Sequence, residues 1–223
     1  QKPFVIEFGG TPRTGKTTTI NNLYDFFKKG GFKITIIEEF TTSKYYKEVF
    51  KEKYKDVSSL NLHLAIIEEV TNQLEEAINS GYDIILIDRS INDRQIWNYR
   101  TFVKGNMSTE KYQEIKEKYR VISRKLIDFL VVTYATPLVS LKRDYNSSLA
   151  LEKRNFLNVD NLVEYNDALK NLEELFKSSV EEYELLDTTS MNMSDVSVEI
   201  ASKIMPVMRK KYIEEFKKRY NLM

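Results

Sequence analysis

The sequence is most constrained by residues 10–17, GTPRTGKT, which fit the pattern G-x-x-x-x-G-K-[ST]. An apolar run at residues 4–8 precedes this stretch and predicts a buried strand, and apolar residues at helical spacing follow it. A strand, a glycine-containing turn and a helix in this order predict a phosphate-binding loop. The reason is that the N–H groups of the turn and the positive end of the helix dipole converge on one point. The candidate nucleotide-binding residues are Gly10, Thr11, Pro12, Arg13, Thr14, Gly15, Lys16, Thr17 and Thr18.

Two residues at the end of this stretch carry the chemistry that the pattern predicts. Lys16 is expected to reach the β- and γ-phosphates of a nucleotide, and the hydroxyl of Thr17 is expected to bind Mg²⁺. The alternative is an ordinary glycine turn. The strand before the stretch and the helix after it make that interpretation the weaker one.

Further along the chain, apolar runs alternate with helical patterns. The runs predict strands at 32–37, 82–87, 129–134 and 183–186, and the patterns predict helices at 58–80, 91–103, 109–127, 161–178 and 195–208, with another beginning at Pro137. This alternation predicts an α/β protein with the P-loop NTPase fold, in which helices flank a five-stranded parallel sheet. Residues 1–223 are predicted to form a single domain with a small lid at about 142–158 and a charged tail helix at about 209–222.

The composition limits the classes of function. Lys and Arg total 34 and Asp and Glu total 33, and the net charge of +1 argues against nucleic-acid binding through overall electrostatic attraction. Because the chain has no cysteine, disulfides, thiolate metal sites and a cysteine nucleophile are excluded, and a reducing, cytoplasmic location is expected. A single histidine, His63, excludes a histidine-rich metal site, and no apolar run is long enough to predict a membrane span.

Polar residues follow the predicted strands. Ligands of open α/β sheets bind beyond the carboxyl ends of the strands, so these residues are expected to meet at one edge of the sheet. Asp88 follows Ile-Ile-Leu-Ile and is predicted to hold the water shell of Mg²⁺, although aspartate also suits the N-cap of a helix. Arg89 is predicted to bind the acceptor or a phosphate, with a surface ion pair as the alternative.

Two adjacent glutamates, Glu38 and Glu39, end the second predicted strand. Because side chains alternate along a strand, only one of them is expected to face the site. Glu39, the later one, is the candidate for a base near the acceptor hydroxyl. The alternative is an exposed carboxylate without a catalytic role.

Basic residues follow the fourth predicted strand at Lys142, Arg143, Lys153 and Arg154. Phosphoryl transfer develops negative charge on equatorial oxygens, and arginines on a closing lid stabilise that charge and exclude water. Arg143 and Arg154 are therefore candidate catalytic residues. The alternative is a solvated helix face.

Together these residues resemble the deoxynucleoside kinase and thymidylate kinase group of P-loop kinases. Residues 88–97, DRSINDRQIW, are similar to the Glu-Arg-Ser signature of deoxynucleoside kinases and to the Asp-Arg and aromatic residue that follow it. Here Asp88 replaces the glutamate, and the spacing to Asp93-Arg94 is one residue shorter. Aspartate followed by arginine at this strand end is itself a thymidylate kinase feature.

Two further parts of the chain carry the resemblance. Residues 128–134, Pro137 and residues 141–143 are similar to the fourth strand, the proline and the first lid arginine of that group. Glu39 falls where deoxynucleoside kinases place a base glutamate before a proline, and Phe40 stands in place of that proline.

The resemblance runs in order over about residues 3–205. It implies a five-stranded parallel sheet, ATP as donor with Mg²⁺, a small-molecule hydroxyl or phosphate as acceptor, and a homodimer through the long helices. Deoxynucleoside kinases recognise the base with a glutamine on the helix before the third strand, whereas Asn61 or His63 lies near that place in this sequence. Either the chain recognises a different base or its substrate is not a nucleoside.

The leading hypothesis is a cytoplasmic small-molecule kinase that transfers the γ-phosphate of ATP to a nucleoside or nucleotide-like acceptor. Its candidate catalytic residues are Lys16, Asp88, Arg89, Glu39, Arg143 and Arg154, and its candidate metal ligands are Thr17 and Asp88. A second hypothesis keeps the kinase chemistry with an antibiotic, another metabolite or a polynucleotide 5′ end as acceptor. A third is a nucleotide-binding regulatory module without multiple turnover, although the Asn-Lys-x-Asp signature of GTPases is absent.

Overall fold

A five-stranded parallel sheet forms the centre of the protein, seen in a computed structural model that describes residues 2–57, 59–143 and 158–219. The strands are β1 (Phe4–Gly10), β2 (Ile34–Ile37), β3 (Ile84–Asp88), β4 (Phe129–Tyr134) and β5 (Glu182–Asp187). They lie in the order β2-β3-β1-β4-β5, and every neighbouring pair is parallel. The predicted α/β architecture and strand number are therefore confirmed.

Helices flank both faces of this sheet. In the described ranges they are α1 (Lys16–Lys29), α2 (Ser59–Asn79), α3 (Ile91–Val103), α4 (Thr109–Leu126), α5 (Pro137–Arg143), α6 (Val159–Asn171), α7 (Glu173–Ser179) and α8 (Met193–Arg219). Short helical turns at Phe40–Thr42, Tyr46–Phe50 and Lys51–Lys53 connect β2 to α2. None of the helices in these ranges combines the length and the hydropathy that crossing a membrane requires.

The alternation of side chains along β1 divides the core into two parts. Phe4, Ile6 and Phe8 point to one face, where they pack with buried residues of α1 and α8. Val5 points to the other face and packs with buried residues of the helices between β2 and β5. Every residue of β1 is buried, which explains why its sequence, apart from Glu7, does not alternate between apolar and polar residues.

Two helix predictions need correction. Residues 161–178 were expected to form one helix, but α6 ends at Asn171 and α7 begins at Glu173. The N–H of Leu172, between them, is shared by the carbonyls of Ala168 and Leu169, so the last turn of α6 tightens before the chain changes direction.

The predicted separate tail helix is the continuation of α8, even though Pro206 lies inside that helix. Tertiary contacts hold this end of α8 on the domain: the hydroxyl of Tyr212 donates to the carbonyl of Asp83 (3.1 Å), and the ammonium of Lys211 lies 2.6 Å from the carboxylate of Asp128. Residues 144–157, most of the predicted lid, lie outside the described residues.

Gly10, the last residue of β1, lies where a side chain cannot fit. Its φ is 116°, and a Cβ added to it would overlap the carbonyl oxygen of Thr133, its partner on β4. Both the left-handed backbone and the close approach of β4 therefore require glycine. Gly31 also has a positive φ, 85°, but a Cβ there would meet no atom within 4 Å.

We expect Gly10→Ala to lower the free energy of unfolding much more than Gly31→Ala. The Gly31 substitution adds only backbone strain of about 1–2 kcal/mol, whereas the Gly10 substitution adds overpacking of about 1–3 kcal/mol to that strain. Urea unfolding of the two variants measures the difference. Equal losses of stability would contradict the close packing of Gly10 on β4.

Candidate active site

Contacts with β4 hold the phosphate-binding loop from one side. The N–H of Thr11 donates to the carbonyl of Thr133 (2.9 Å), and the hydroxyls of Thr14 and Thr133 lie 2.6 Å apart. Arg13 and Gly15 have φ values of 62° and 95°, so the loop turns sharply before α1 begins. A tight turn of this kind ahead of a helix N-terminus is the arrangement that binds anions through backbone N–H groups.

The side chain of Lys16 folds back along the loop. Its ammonium donates to the carbonyl oxygens of Gly10 (3.1 Å) and Thr11 (2.5 Å), and the residue is only 6% exposed. Burial lowers the pKa of Lys16 to about 7, and the nearby charge of Arg89 acts in the same direction. Bound phosphate would supply negative charge to this position.

Asp88 ends β3 beside the start of α1. Its Oδ2 accepts a hydrogen bond from the hydroxyl of Thr17 at 3.2 Å, which brings together the two predicted metal ligands. The described ranges contain no group of three or more His, Cys, Asp or Glu residues that could hold a metal. Hydroxyl and carboxylate oxygens suit Mg²⁺, which in phosphate-transfer sites takes few protein ligands and completes its shell with phosphates and water. Thr17 and Asp88 fit such a site.

Arg89 lies inside the site rather than on the surface. Its backbone is left-handed, with φ 55°, and its side chain is 14% exposed. Its guanidinium lies 3.5 Å from the carboxylate of Glu39 and 3.4 Å from that of Asp93. Burial alone would lower the pKa of Arg89, but the charge of Asp93 and other nearby groups holds it above its usual range.

Asp88 is not the N-cap of the following helix, α3, since Ser90 occupies that position.

Glu38 and Glu39, which follow the last residue of β2, have different surroundings. Glu38 is exposed, whereas Glu39 contacts Arg89 and accepts a hydrogen bond from the hydroxyl of Thr41 at 3.0 Å. The later glutamate is therefore the one placed at the site.

Glu7 is a buried residue that the sequence analysis did not single out. It lies in β1, is 0% exposed, and accepts hydrogen bonds from the N–H groups of Ser90 (3.1 Å), Asn92 (2.8 Å) and Asp93 (3.2 Å). The amide of Asn92 donates to its second oxygen at 2.8 Å. These N–H groups belong to the first turn of α3, so Glu7 caps this helix from another element. The signal in the sequence was a charged residue inside an otherwise apolar strand.

Asp93 joins three parts of the site. Its Oδ1 accepts the N–H of Gly10 (3.2 Å) and the hydroxyl of Tyr165 (2.7 Å), and its Oδ2 lies 3.4 Å from Arg89. Burial would raise the pKa of Asp93, but Arg89 and these hydrogen bonds hold it below its usual range. The sequence analysis named Asp93 only as part of the resemblance, because a helix residue gives no local sign that it contacts a loop 83 positions away.

Arg143 ends α5 at the edge of the site. Its guanidinium donates to the carbonyls of Thr188 (2.5 Å), Met191 (2.7 Å) and Arg13 (3.4 Å), and to the hydroxyl of Thr188 (3.0 Å). It therefore connects α5 to the loop between β5 and α8 and to the phosphate-binding loop. Arg154, the other predicted lid arginine, lies outside the described residues.

These groups surround one pocket of about 650 Å³. Its lining residues are Pro12, Arg13, Gly15, Lys16, Thr17, Thr18, Glu39, Asp88, Arg89, Arg143 and Met193. The structure thus brings the candidate catalytic residues that it describes to one pocket, from the start of α1 and the ends of β2 and β3 to α5. Gly10, Thr11 and Thr14, which were also predicted to bind the nucleotide, are buried and do not line this pocket.

The residues suggested for base recognition lie apart from this pocket. Neither Asn61 nor His63 is among its lining residues. His63, on α2, is largely buried, and burial followed by the charge of Arg94 lowers its pKa. Trp97 packs against the core with its ring in edge contact with that of Tyr165, 6.1 Å between centroids.

Comparison with known proteins gives matches among solved structures. Deoxyadenosine kinase from M. mycoides, with the products dCMP and a flexible dCDP bound, matches with a TM-score of 0.60 and 16% identity, over 91% of this chain and 100% of that chain. The structure of the same enzyme with bound dATP matches with a TM-score of 0.61 and 17% identity, over 90% and 99%. This chain has the deoxynucleoside kinase fold. No family model and no curated protein matches the sequence.

The deoxynucleoside kinase fold explains why the motifs occur in their order along the chain. The alignment covers nearly all of both chains, so the resemblance seen in the sequence is confirmed at the level of the fold. At 16–17% identity the likeness carries the arrangement of strands and helices and leaves the chemistry of the pocket to be argued from its own residues.

We expect the stability of the protein to depend on pH through Glu7. Burial raises the pKa of Glu7 from its usual 4.5 to about 7 in the folded state, so this group binds more protons in the folded than in the unfolded chain between these values. The free energy of unfolding contributed by Glu7 therefore falls as pH rises through this window, by about 3 kcal/mol in total.

Urea unfolding of the wild type and of Glu7→Gln over this pH range measures the effect. Glutamine does not titrate, so the stability of the wild type relative to the variant should decrease with rising pH. Parallel pH profiles for the two proteins would contradict the assignment.

Proposed function

We propose that this chain is a Mg²⁺/ATP-dependent kinase that transfers the γ-phosphoryl group of ATP to a nucleoside or nucleotide-like acceptor. One observation supports this more than any other: a phosphate-binding loop and a Glu39–Arg89 pair line the same pocket. A module that only senses a nucleotide needs the loop and no groups for a second substrate. A carboxylate and a guanidinium facing the donor site are what a transfer reaction to a second substrate requires.

The donor side of the proposed reaction uses the loop and the ends of β1 and β3. The backbone N–H groups of the loop and the ammonium of Lys16 bind the phosphates of ATP. Thr17 and Asp88 would hold Mg²⁺, which when bound would neutralise charge on the phosphate oxygens. The buried position of Lys16 makes its charge more effective than it would be in water.

The acceptor side uses the Glu39–Arg89 pair. An acceptor hydroxyl oxygen forms a bond to the γ-phosphorus, the bond from that phosphorus to the bridging oxygen breaks, and ADP leaves. The proton of the hydroxyl passes to the carboxylate of Glu39. Arg89, which is held by Glu39 and Asp93, orients the acceptor beside the transferring group.

Arg143 and Arg154 complete the proposed site. Arg143 already lines the pocket, and its hydrogen bonds to Thr188 and Met191 fix the loop that precedes α8. We propose that it stabilises the transferring phosphoryl group from this position, with Arg154 contributing from the segment that follows.

The structural neighbours guide the choice of acceptors. The neighbour's structures contain dATP, dCMP and dCDP, so deoxynucleosides and their monophosphates are the acceptors to test first. A homodimer through the long helices and a cytoplasmic location remain predictions of the sequence. Sedimentation equilibrium and microscopy of the tagged protein, respectively, would test them.

We expect γ-labelled ATP to transfer its label to a pool of deoxynucleosides, nucleosides and their monophosphates in the presence of Mg²⁺. Lys16→Ala should reduce turnover on the order of 10²-fold or more, because it removes a charge that stabilises the transferring phosphoryl group. Label transfer that is insensitive to Lys16→Ala would contradict the mechanism. ATP binding without transfer to the pool would favour another acceptor or the regulatory module.

Glu39→Gln should lower kcat on the order of 10²- to 10⁴-fold, because the amide keeps the shape of the side chain but cannot accept the proton. The matched control is Glu38→Gln, at the exposed neighbouring position, which should retain wild-type turnover. Steady-state kinetics with the acceptor found in the pool measures both variants. Equal turnover of the two would remove Glu39 from the role of base.

A further inference from the structure

Two consecutive residues of α6, Tyr165 and Asn166, contact the start of the phosphate-binding loop. The hydroxyl of Tyr165 donates to Oδ1 of Asp93 at 2.7 Å, and the same oxygen accepts the N–H of Gly10 at 3.2 Å. Tyr165 is therefore linked to the first residue of the loop through a single carboxylate oxygen. Both Tyr165 and Asp93 are almost completely buried, which makes these hydrogen bonds costly to lose.

Asn166 holds the next residue of the loop. Its amide oxygen accepts a hydrogen bond from the hydroxyl of Thr11 at 2.6 Å, and its amide nitrogen donates to the carbonyl of Ala135 at 2.8 Å. Ala135 follows directly after β4, so this side chain joins the loop to the end of the neighbouring strand. The side-chain amide of Asn166 thus makes one hydrogen bond as an acceptor and one as a donor, and an apolar side chain could make neither.

The position of Asn166 on the helix supports a specific role. Leu162, Tyr165 and Leu169 are buried and form the core-facing side of α6. Asn166 is four residues after Leu162 and three before Leu169, so it lies next to the same face. An amide there needs a reason other than core packing, and the contacts with Thr11 and Ala135 provide one.

Neither Tyr165 nor Asn166 lines the pocket of the candidate site. Its lining residues begin at Pro12, so Gly10 and Thr11 support the loop without facing the space that a nucleotide would occupy. A loop that binds phosphate through its N–H groups loses affinity when it must be ordered on binding, because the ordering entropy is subtracted from the binding free energy. Contacts that hold Gly10 and Thr11 therefore influence the affinity of the loop for a phosphate ligand without touching that ligand.

We propose that Tyr165 and Asn166 are positioning residues that hold the first turn of the phosphate-binding loop in the shape that binds MgATP. The inference rests on the proposed function for the identity of the ligand. The contacts themselves do not depend on it. α6 follows the segment predicted as a lid, and the residue types of this helix do not indicate by themselves that it supports the loop.

The experiment compares Tyr165→Phe and Asn166→Ala with a matched control, Tyr119→Phe. Tyr119 is also fully buried, but its hydroxyl lies 3.5 Å from the carbonyl of His63, away from the loop. Each test variant should weaken MgATP binding, measured by calorimetry, roughly three- to tenfold, the effect of losing one or two hydrogen bonds. Tyr119→Phe should leave the affinity unchanged.

Amide hydrogen exchange gives a second measurement that does not require ATP. In Tyr165→Phe, the N–H of Gly10 should exchange faster relative to the N–H of Ile6 in β1. In Asn166→Ala, the N–H of Thr11 should exchange faster relative to the same reference. A general loss of stability accelerates exchange at Ile6 as well, so the ratio separates positioning from a purely structural role.

The outcomes are distinct. Unchanged affinity together with unchanged exchange ratios in both variants would overturn the proposal, and so would an equal loss of affinity in Tyr119→Phe. If Tyr165→Phe does not fold, Asn166→Ala decides through Thr11. If the wild type binds no MgATP, the proposed function fails, and the exchange ratios alone decide whether the two residues hold the loop.

Discussion

The carboxylate of Glu7 lies within the central strand of the sheet and accepts the N–H groups that begin α3. A buried carboxylate without partners costs several kcal/mol, and the first turn of a helix offers free N–H groups and the positive end of its dipole. Each group therefore needs the other, and β1 cannot shift along α3 without leaving both unsatisfied. Asp93 is one of the residues that bind Glu7, and Arg89 directly precedes another, Ser90, so the positions of both depend on this contact.

The phosphate-binding loop is held by elements that are distant in the sequence. Thr133 of β4 binds it from one side, Asp93 of α3 binds Gly10, and Asn166 of α6 binds Thr11. At the far end of the loop, a Cβ on Gly15 would lie 2.9 Å from the sulfur of Met193, so α8 packs closely there as well. Support of this kind would lower the entropic cost of binding a ligand in the proposed function, because the loop is already held in its shape.

Much of the fold was predictable because its signals are local. Buried parallel strands give continuous apolar runs, and helices give apolar residues at spacings of three and four. The bounds of α3 and β4 agree with the prediction residue for residue. The prediction failed at Leu172, where α6 ends, and after Met208, where α8 continues instead of giving way to a separate tail helix. Contacts of Lys211 and Tyr212 with the domain hold that continuation in place.

The candidate site was predictable to the extent that its residues follow strands. Asp88, Arg89 and Glu39 lie at or just after strand ends, and Lys16 and Thr17 begin the helix that follows β1. Parallel strands bring such residues to one edge. Glu7, Tyr165 and Asn166 were not found, because each lies in the middle of a strand or helix and acts through a partner far along the chain. Their residue types alone do not reveal those partners.

The sequence by itself determined the order of strands and helices, the phosphate-binding loop and the set of polar residues at one edge of the sheet. These follow from side-chain periodicity and from the conformations that glycine permits. The tertiary structure alone decided which buried groups support that edge: Glu7 under α3, Asp93 and Asn166 behind the loop, and Arg143 bound to Thr188 and Met191. Buried polar groups must find hydrogen-bond partners, and only the packing of distant elements determines which partners lie within reach.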